Sequence, residues 1–236
     1  MIISFSGVDC AGKSTQIKAL ENYFISKGKT CKVFWYRPGY SQEMQLCKNA
    51  IRKAATACLW VAERAPKMLA TRKTASDKGV YEVSGTVSGK PSSDLRVPAP
   101  IWLTTAFFDT MLQWGLKLRL YERRYDVVIC DRYVEDARLD LFFKYPQYRF
   151  TDDVMDRIEK LLPEPDHSIM LWLPFDEMLR RAASKDEPFP DSEEIREKRY
   201  RAYDKLSTMT RIDTSATLEE TFAKILAALG EPVTGA

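Results

Sequence analysis

Residues 7–14 carry the most specific chemical pattern in the 236-residue sequence, which is Gly-Val-Asp-Cys-Ala-Gly-Lys-Ser. The two glycines let the backbone turn tightly enough for successive N–H groups to face one anion. The lysine and the hydroxyl after the second glycine supply a cation for phosphate oxygens and a ligand for Mg²⁺. The pattern predicts a phosphate-binding loop whose ligand-contacting residues are Gly7, Asp9, Cys10, Ala11, Gly12, Lys13, Ser14 and Thr15.

The segments on either side of this loop favour the same interpretation. Residues 2–6 are apolar and predict a buried strand, whereas residues 14–27 have apolar side chains at helical spacing. A strand, a glycine-rich turn and a helix in that order direct the positive end of the helix dipole at the anion. We therefore expect the loop to bind the phosphates of ATP.

Asp9 is an unusual residue for such a loop, because a carboxylate repels phosphate unless it has a separate task. Two interpretations remain open. Asp9 orients a substrate hydroxyl or an arginine, or its side chain accepts hydrogen bonds from the amides of the turn. We include Asp9 with Lys13 among the candidate catalytic residues.

A second acidic site follows the apolar residues 127–130, where Asp131 and Arg132 come next in the chain. Ligands of open α/β sheets gather at the carboxyl ends of the strands. Asp131 and Ser14 are therefore the candidate ligands for Mg²⁺, and Arg132 is a candidate partner for the phosphate of an acceptor. The alternative is that Asp131 caps the following helix and Arg132 forms a surface ion pair.

Strands and helices alternate along the rest of the chain, which predicts an α/β fold with a parallel sheet covered on both faces. Further strands are predicted at 31–36, 127–130, 169–173 and 209–212, and further helices at 42–64, 101–123, 134–143, 152–162, 175–183, 193–206 and 218–229. Residues 66–100 contain three glycines and four prolines with little helical periodicity. We interpret them as an insertion or mobile loop within a single domain spanning residues 1–236.

Composition excludes several other classes of protein. The 36 basic and 33 acidic residues nearly balance, whereas a nucleic-acid-binding protein typically has a strong basic excess. The five cysteines form no CxxC pair, which argues against a zinc site or a disulfide framework and favours the cytoplasm. Residues 1–6 lack the basic leader of a signal peptide, and no apolar run is long enough to span a membrane.

Several segments together resemble the thymidylate kinase family of nucleoside-monophosphate kinases. These are residues 5–16, the Arg37-Pro38-Gly39 turn, and residues 127–133, 165–181 and 211–213. Their order and spacing cover nearly the whole chain except residues 66–100. The resemblance implies a P-loop NTPase fold of three α/β/α layers with a mostly parallel five-stranded sheet. It also implies ATP and Mg²⁺ as cofactors and a lid at about 182–195 that closes over the phosphates.

The resemblance further implies that arginines from the loop or the lid contact the transferring phosphoryl group. Position 10 is a cysteine, so these arginines must come from the lid side, where the candidates are Arg180, Arg181, Arg196, Arg199 and Arg201. We select Arg180 and Arg181, together with Arg132, as candidate catalytic arginines. The alternative for the whole set is a solvated helix with Glu–Arg pairs such as Glu193–Arg196 or Glu197–Arg201.

The acceptor side departs from the family pattern. Ala106 and Thr110 align with the family's base-stacking phenylalanine and phosphate-binding arginine, although a small shift places Phe107 or Phe108 at the stacking position. The serines and glutamine that follow the DRY segment in the family correspond here to Asp136, Ala137 and Leu141. The candidate substrate-binding residues are Arg37, Phe107, Asp109 and Arg132.

These observations predict an ATP-dependent phosphotransferase acting on a nucleoside monophosphate or a similar phosphorylated acceptor. Two alternatives remain open. One is a kinase of a non-nucleotide metabolite, such as a phosphorylated sugar, and the other is a nucleotide-dependent switch without an acceptor. Residues 48–96 hold ten Lys/Arg against four acidic residues, which suits either an acidic ligand or a solvated loop. We expect no nucleic-acid or membrane partner, and a homodimer is one open option.

Overall fold

The computed structural model describes residues 1–41, 43, 46, 99–148, 150–183 and 192–232. The chain divides into two compact units, of which the first comprises Met1–Arg37 and Gln113–Ala236 and the second Pro38–Leu112. Nearly all of the predicted insertion at 66–100, most of the predicted helix at 42–64 and residues 184–191 of the predicted lid lie outside the described residues. The single-domain assignment stays a prediction.

The first unit contains a five-stranded sheet in which all neighbouring strands are parallel. Its strands are β1 (Ile2–Gly7), β2 (Cys31–Trp35), β3 (Val127–Asp131), β4 (His167–Trp172) and β5 (Thr210–Asp213), in the spatial order β2-β3-β1-β4-β5. Each lies within one or two residues of a strand predicted from the apolar and β-branched runs. The predicted fold class is confirmed.

Helices connect the strands, as a parallel sheet requires. They are α1 (Lys13–Ser26), α2 (Ala99–Thr110), α3 (Leu118–Arg124), α4 (Val134–Lys144), α5 (Phe150–Glu159), α6 (Phe175–Ala183), α7 (Glu193–Asp204) and α8 (Leu218–Ala228). The sequence predicts one helix over 101–123, whereas Met111–Lys117 forms a π-helical segment between α2 and α3. Within the described ranges, none of the helices has the length and apolar character needed to cross a bilayer.

The central strand β1 is buried along its whole length, because helices or neighbouring strands cover every face of it. Phe5 of β1, Leu20 and Phe24 of α1 and Ile225 of α8 are all completely buried in the same apolar cluster. Burial of a side chain of this size contributes roughly 1.5 to 3 kcal/mol. This core fixes the position of the carboxyl end of β1, where the glycine loop begins.

In the second unit, helix α2 packs on the turn after β2. An added Cβ on Gly39 would lie 2.7 Å from the Trp102 ring, so this turn requires glycine both for the contact and for its positive φ of 78°. The Ser41 hydroxyl donates a 2.5 Å hydrogen bond to Asp109, which is buried. The Pro-Gly turn is therefore held against α2 by an aromatic ring and a buried polar pair.

Candidate active site

The glycine loop has a backbone that other residues cannot easily adopt. Gly7 has a φ of 142°, and a Cβ at this position would lie 2.0 Å from the Leu171 carbonyl oxygen of β4. Gly12, at the N-terminus of α1, has a φ of 77° and open space where a Cβ would stand. Gly7 thus allows β1 and β4 to approach closely, while Gly12 leaves the helix N-terminus accessible to an anion.

The Lys13 side chain folds back over its own loop. Its Nζ donates hydrogen bonds of 2.8 Å to the Gly7 carbonyl and 2.9 Å to the Val8 carbonyl. Burial lowers the pKa of Lys13, as does the nearby Arg132, while three carboxylates around it act in the opposite direction: those of Asp136, Asp9 and Asp131. The ammonium group therefore lies within electrostatic reach of these three carboxylates.

Other loop residues differ in their exposure. Asp9, Ser14 and Thr15 are exposed, Cys10 is half-buried, and Ala11 is buried. The exposed hydroxyls and the Asp9 carboxylate are thus open to a ligand from solvent. Both interpretations of Asp9 remain open.

Sheet register brings Asp131 and Arg132 to the edge from which the loop starts. Phe5 of β1 pairs with Asp131 of β3, and the Arg132 amide donates a 2.9 Å hydrogen bond to the Phe5 carbonyl. Within the described part of the chain, the residues other than glycine that have a positive φ are Cys10 at 59° and Arg132 at 79°. Backbone strain of this kind clusters at functional sites, and here it occurs on both sides of the same edge.

The chemistry of Ser14 and Asp131 fits a hard divalent cation, since both side chains offer oxygen ligands. Burial raises the pKa of Asp131, and Lys13 and Arg132 oppose this rise. A carboxylate that is poorly solvated gains from a cation placed beside it. The described residues contain no cluster of three or more His, Cys, Asp or Glu side chains, so phosphate oxygens and waters would complete such a coordination sphere.

Asp136 is a buried acceptor that connects three elements, and the sequence analysis did not assign it a role. It accepts hydrogen bonds from the Ser6 hydroxyl of β1 and, at 2.6 Å, from the Tyr203 hydroxyl of α7. Arg132 lies 3.4 Å from the same carboxylate, four residues earlier and before α4 begins. Burial disfavours the charge on Arg132, but four acidic groups together more than offset this and raise the pKa of Arg132: those of Asp136, Tyr203, Asp140 and Asp9. The four-residue spacing of Arg132 and Asp136 was the available signal in the sequence.

Asp140 forms a second ionic centre one turn further along α4. Its carboxylate contacts the Arg37 Nε at 2.6 Å and the Arg199 Nη1 at 2.8 Å. Arg37 was predicted as a substrate-binding residue, and Arg199 was one of the lid-side candidates. Asp140 therefore brings together two arginines that the sequence analysis treated separately.

The two arginines selected as catalytic candidates on the lid side lie on α6 and share one acidic partner. Arg180 and Arg181 contact Glu177 at 2.7 and 2.6 Å, and their hydrogen bonds lower the pKa of Glu177 to about 2. Arg181 also donates to the Thr214 carbonyl after β5. Arg201 of α7 contacts Glu197 at 2.5 Å, which is the solvated Glu–Arg pair that the sequence allowed.

The remaining predicted substrate-binding residues belong to the second unit. Phe107 is half-buried on α2, and Asp109 accepts the hydrogen bond from Ser41. Of the aligned family positions, Ala106 and Thr110 are fully buried, whereas Phe108 is 73% exposed. The roles assigned to Phe107 and Asp109 stay predictions.

Comparisons with known proteins agree with this architecture. No protein-family model and no curated protein matches the sequence. Among solved structures, the crystal structure of thymidylate kinase from Ehrlichia chaffeensis is similar over 97% of this chain and 98% of that chain, with a TM-score of 0.51 and 14% sequence identity. A similarity at this level of identity concerns the fold, and the chain has a thymidylate kinase-like fold.

Proposed function

We propose that this protein is an ATP-dependent phosphotransferase that transfers the γ-phosphoryl group of ATP to a nucleoside monophosphate or a similar phosphorylated acceptor. The observation that carries the proposal is the meeting of two features at one sheet edge. The glycine loop with Lys13 begins where β1 ends, and Asp131 and Arg132 follow the adjacent strand β3. Loops of this kind bind polyphosphate through backbone amides, and the fold supports the same class of enzyme.

On the donor side, the loop amides and Lys13 hold the phosphates of ATP. Lys13 donates to loop carbonyls in this structure, and its partly desolvated ammonium gains from exchanging these partners for phosphate oxygens. Ser14 and Asp131 would hold Mg²⁺, which neutralises charge on the β- and γ-phosphates when it is bound. The protein therefore contributes positioning and electrostatic stabilisation.

On the acceptor side, Arg132 and Arg37 bind the acceptor's own anion. In the transfer, an acceptor oxygen forms a bond to the γ-phosphorus while the bond from that phosphorus to the β,γ-bridging oxygen breaks, and ADP leaves. The buried Asp136 holds the Arg132 guanidinium at this edge through their ion pair. Lid-side arginines complete the charge clamp on the transferring group.

Substitution of Lys13 by alanine tests the donor side. We expect phosphoryl transfer to fall by at least about a hundredfold, because Lys13 is the loop's cation, while the circular dichroism spectrum stays unchanged. Lys18→Ala is the matched control, since Lys18 lies on the same helix, is 68% exposed and pairs with Glu21. Transfer that is equally fast in wild type and Lys13→Ala would refute the proposal.

A kinase of a non-nucleotide metabolite is the second candidate. It is favoured because Ala106 and Thr110, which align with the family's acceptor-binding residues, are small and fully buried. An ADP-release screen with ATP·Mg²⁺ against nucleoside monophosphates, nucleosides and phosphorylated sugars separates the two candidates. Slow ATP hydrolysis that no acceptor stimulates would instead favour a nucleotide-dependent switch.

A further inference from the structure

Two residues of α4 and two residues of α7 meet in matched pairs. Asp136 accepts from the Tyr203 hydroxyl at 2.6 Å, and Asp140, one turn later, accepts from Arg199 at 2.8 Å. Side chains four residues apart lie on the same face of a helix, so the two pairs form successive contacts along one helix–helix interface. Helix α7 begins just after the undescribed residues 184–191 of the predicted lid. Helix α7 is thus attached at two successive points to α4, the helix that follows β3.

Asp140 also contacts Arg37, which follows β2, so a third part of the chain joins the contact between α4 and α7. Its carboxylate is 9% exposed and lies between Arg37, which is 36% exposed, and Arg199, which is 19% exposed. The Arg199 guanidinium also lies 5.5 Å from the centre of the Phe143 ring, a distance typical of a cation–π contact. Two guanidinium groups from different parts of the chain are therefore fixed on either side of one carboxylate.

This pair of arginines lies at the edge of the sheet where ligands gather. Trp35 of β2 pairs with Asp131 of β3, so Arg37 and Arg132 follow the carboxyl ends of adjacent strands. Lys144, one turn beyond Asp140, has a pKa that burial lowers and that Arg37 lowers further. Cationic side chains thus converge here from the β2 turn, α4 and α7.

We propose that Arg37 and Arg199 form a two-guanidinium subsite for the phosphate of the acceptor, with Asp140 as its positioning residue. The inference rests on the proposed function, and it identifies the acceptor as a molecule that carries its own phosphate. Guanidinium groups bind phosphate through paired hydrogen bonds, and a shared carboxylate fixes the positions of the two groups relative to each other. Arg199 is then the lid-side arginine that serves the acceptor.

Inorganic phosphate is the probe, and thermal-shift and calorimetric titrations give its affinity. The comparison is made in the Lys13→Ala background, which weakens the donor site. Arg199→Gln should lower phosphate affinity about tenfold or more, the magnitude of one hydrogen bond to a charged group. Arg201→Gln is the matched control, because Arg201 lies two residues away, is 73% exposed and pairs with Glu197 on its own helix. Equal affinities for these two variants would overturn the subsite.

Asp140→Asn tests the positioning role by the sign of its effect. The two carboxylate oxygens face different guanidinium groups, and the asparagine replaces one of these oxygens with an NH₂ donor that repels its guanidinium. We therefore expect phosphate to bind several-fold more weakly although a negative charge has been removed. If Asp140 acted only through its charge, the same variant would bind phosphate more tightly, which would overturn the positioning role. Arg199→Lys keeps the charge but loses the planar fork, and an intermediate affinity is expected.

The proposed function and the subsite fail in different ways in these experiments. Titration of wild type with the non-hydrolysable analogue AMP-PNP and Mg²⁺ tests the donor site, and no binding there would refute ATP use. The phosphate comparison in the Lys13→Ala background does not depend on that result. Should Arg199→Gln weaken AMP-PNP and leave phosphate affinity unchanged, Arg199 would belong to the donor site and the inference would be wrong.

Discussion

Replacement of Gly7 by alanine perturbs one backbone contact on which both the sheet and the loop depend. The new Cβ would lie 2.0 Å from the Leu171 carbonyl oxygen and 2.9 Å from the Leu171 carbonyl carbon. Both atoms belong to the backbone of β4, which pairs with β1 and cannot rotate away as a side chain can. The strands must therefore separate at the residue where the loop begins.

The expected loss of stability follows from two terms. The φ of 142° at Gly7 lies in a region that other residues avoid, and forcing alanine into it costs roughly 1 to 3 kcal/mol. Overpacking against Leu171 adds roughly 1 to 3 kcal/mol. The sum of roughly 2 to 6 kcal/mol is a large fraction of the 5 to 15 kcal/mol typical of a folded domain. For a chain of this size it corresponds to a fall in Tm on the order of 10 °C.

Gly28→Ala is the matched control, because Gly28 has a φ of 76° and nothing within 4 Å of the added Cβ. It shares the positive φ but lacks the clash, so its cost should be about 1 to 2 kcal/mol. Urea unfolding and thermal melts of both variants give the comparison, and AMP-PNP·Mg²⁺ should stabilise Gly28→Ala but not Gly7→Ala. If both variants lose the same stability and keep nucleotide binding, the close approach of β1 and β4 does not require glycine at position 7.

Three further predictions concern groups near the site. Tyr203→Phe removes the hydroxyl that donates to the buried Asp136 and should lower the free energy of unfolding by about 1.5 to 3 kcal/mol. The control Tyr200→Phe, on the same helix, should lower it by less than about 1 kcal/mol. Urea denaturation measures both variants, and equal losses would show that the Tyr203–Asp136 hydrogen bond contributes nothing specific. Burial raises the pKa of Cys130 to about 12, so at pH 8 iodoacetamide should alkylate it only after unfolding. Peptide mass spectrometry should also show that ATP·Mg²⁺ slows alkylation of the half-buried Cys10, and equal rates with and without nucleotide would argue against a nucleotide at the loop.

The strands and most helices of this protein were predictable because their signals are local. The apolar residues 127–130 and the β-branched and aromatic side chains at 31–36 predicted strands that the structure places within a residue of those bounds. The π-helical segment Met111–Lys117 was not predicted, since the spacing of Met111, Trp114 and Leu118 also fits an ordinary helix. Periodicity specifies which side chains share a face, but it does not count the residues in each turn.

Residues of the candidate site were also predictable where their partners are close in the chain, and not where the partners are distant. The glycine loop was identified from eight consecutive residues, because the turn, the helix N-terminus and the lysine all lie in one short segment. Asp136 was noted only as a departure from a family pattern. Its partners Ser6 and Tyr203 are 130 and 67 residues away in the chain, and no local rule connects them.

The sequence by itself therefore determined the order of strands and helices, the glycine loop at residues 7–14 and the pair Asp131–Arg132 at a strand end. Each of these depends on backbone geometry and side-chain periodicity over a few neighbouring residues. Only the tertiary structure decided that Arg199 meets Arg37 across Asp140, while Arg180 and Arg181 pair with Glu177. The partner of a long charged side chain depends on which helices pack together, and packing is set by the whole chain.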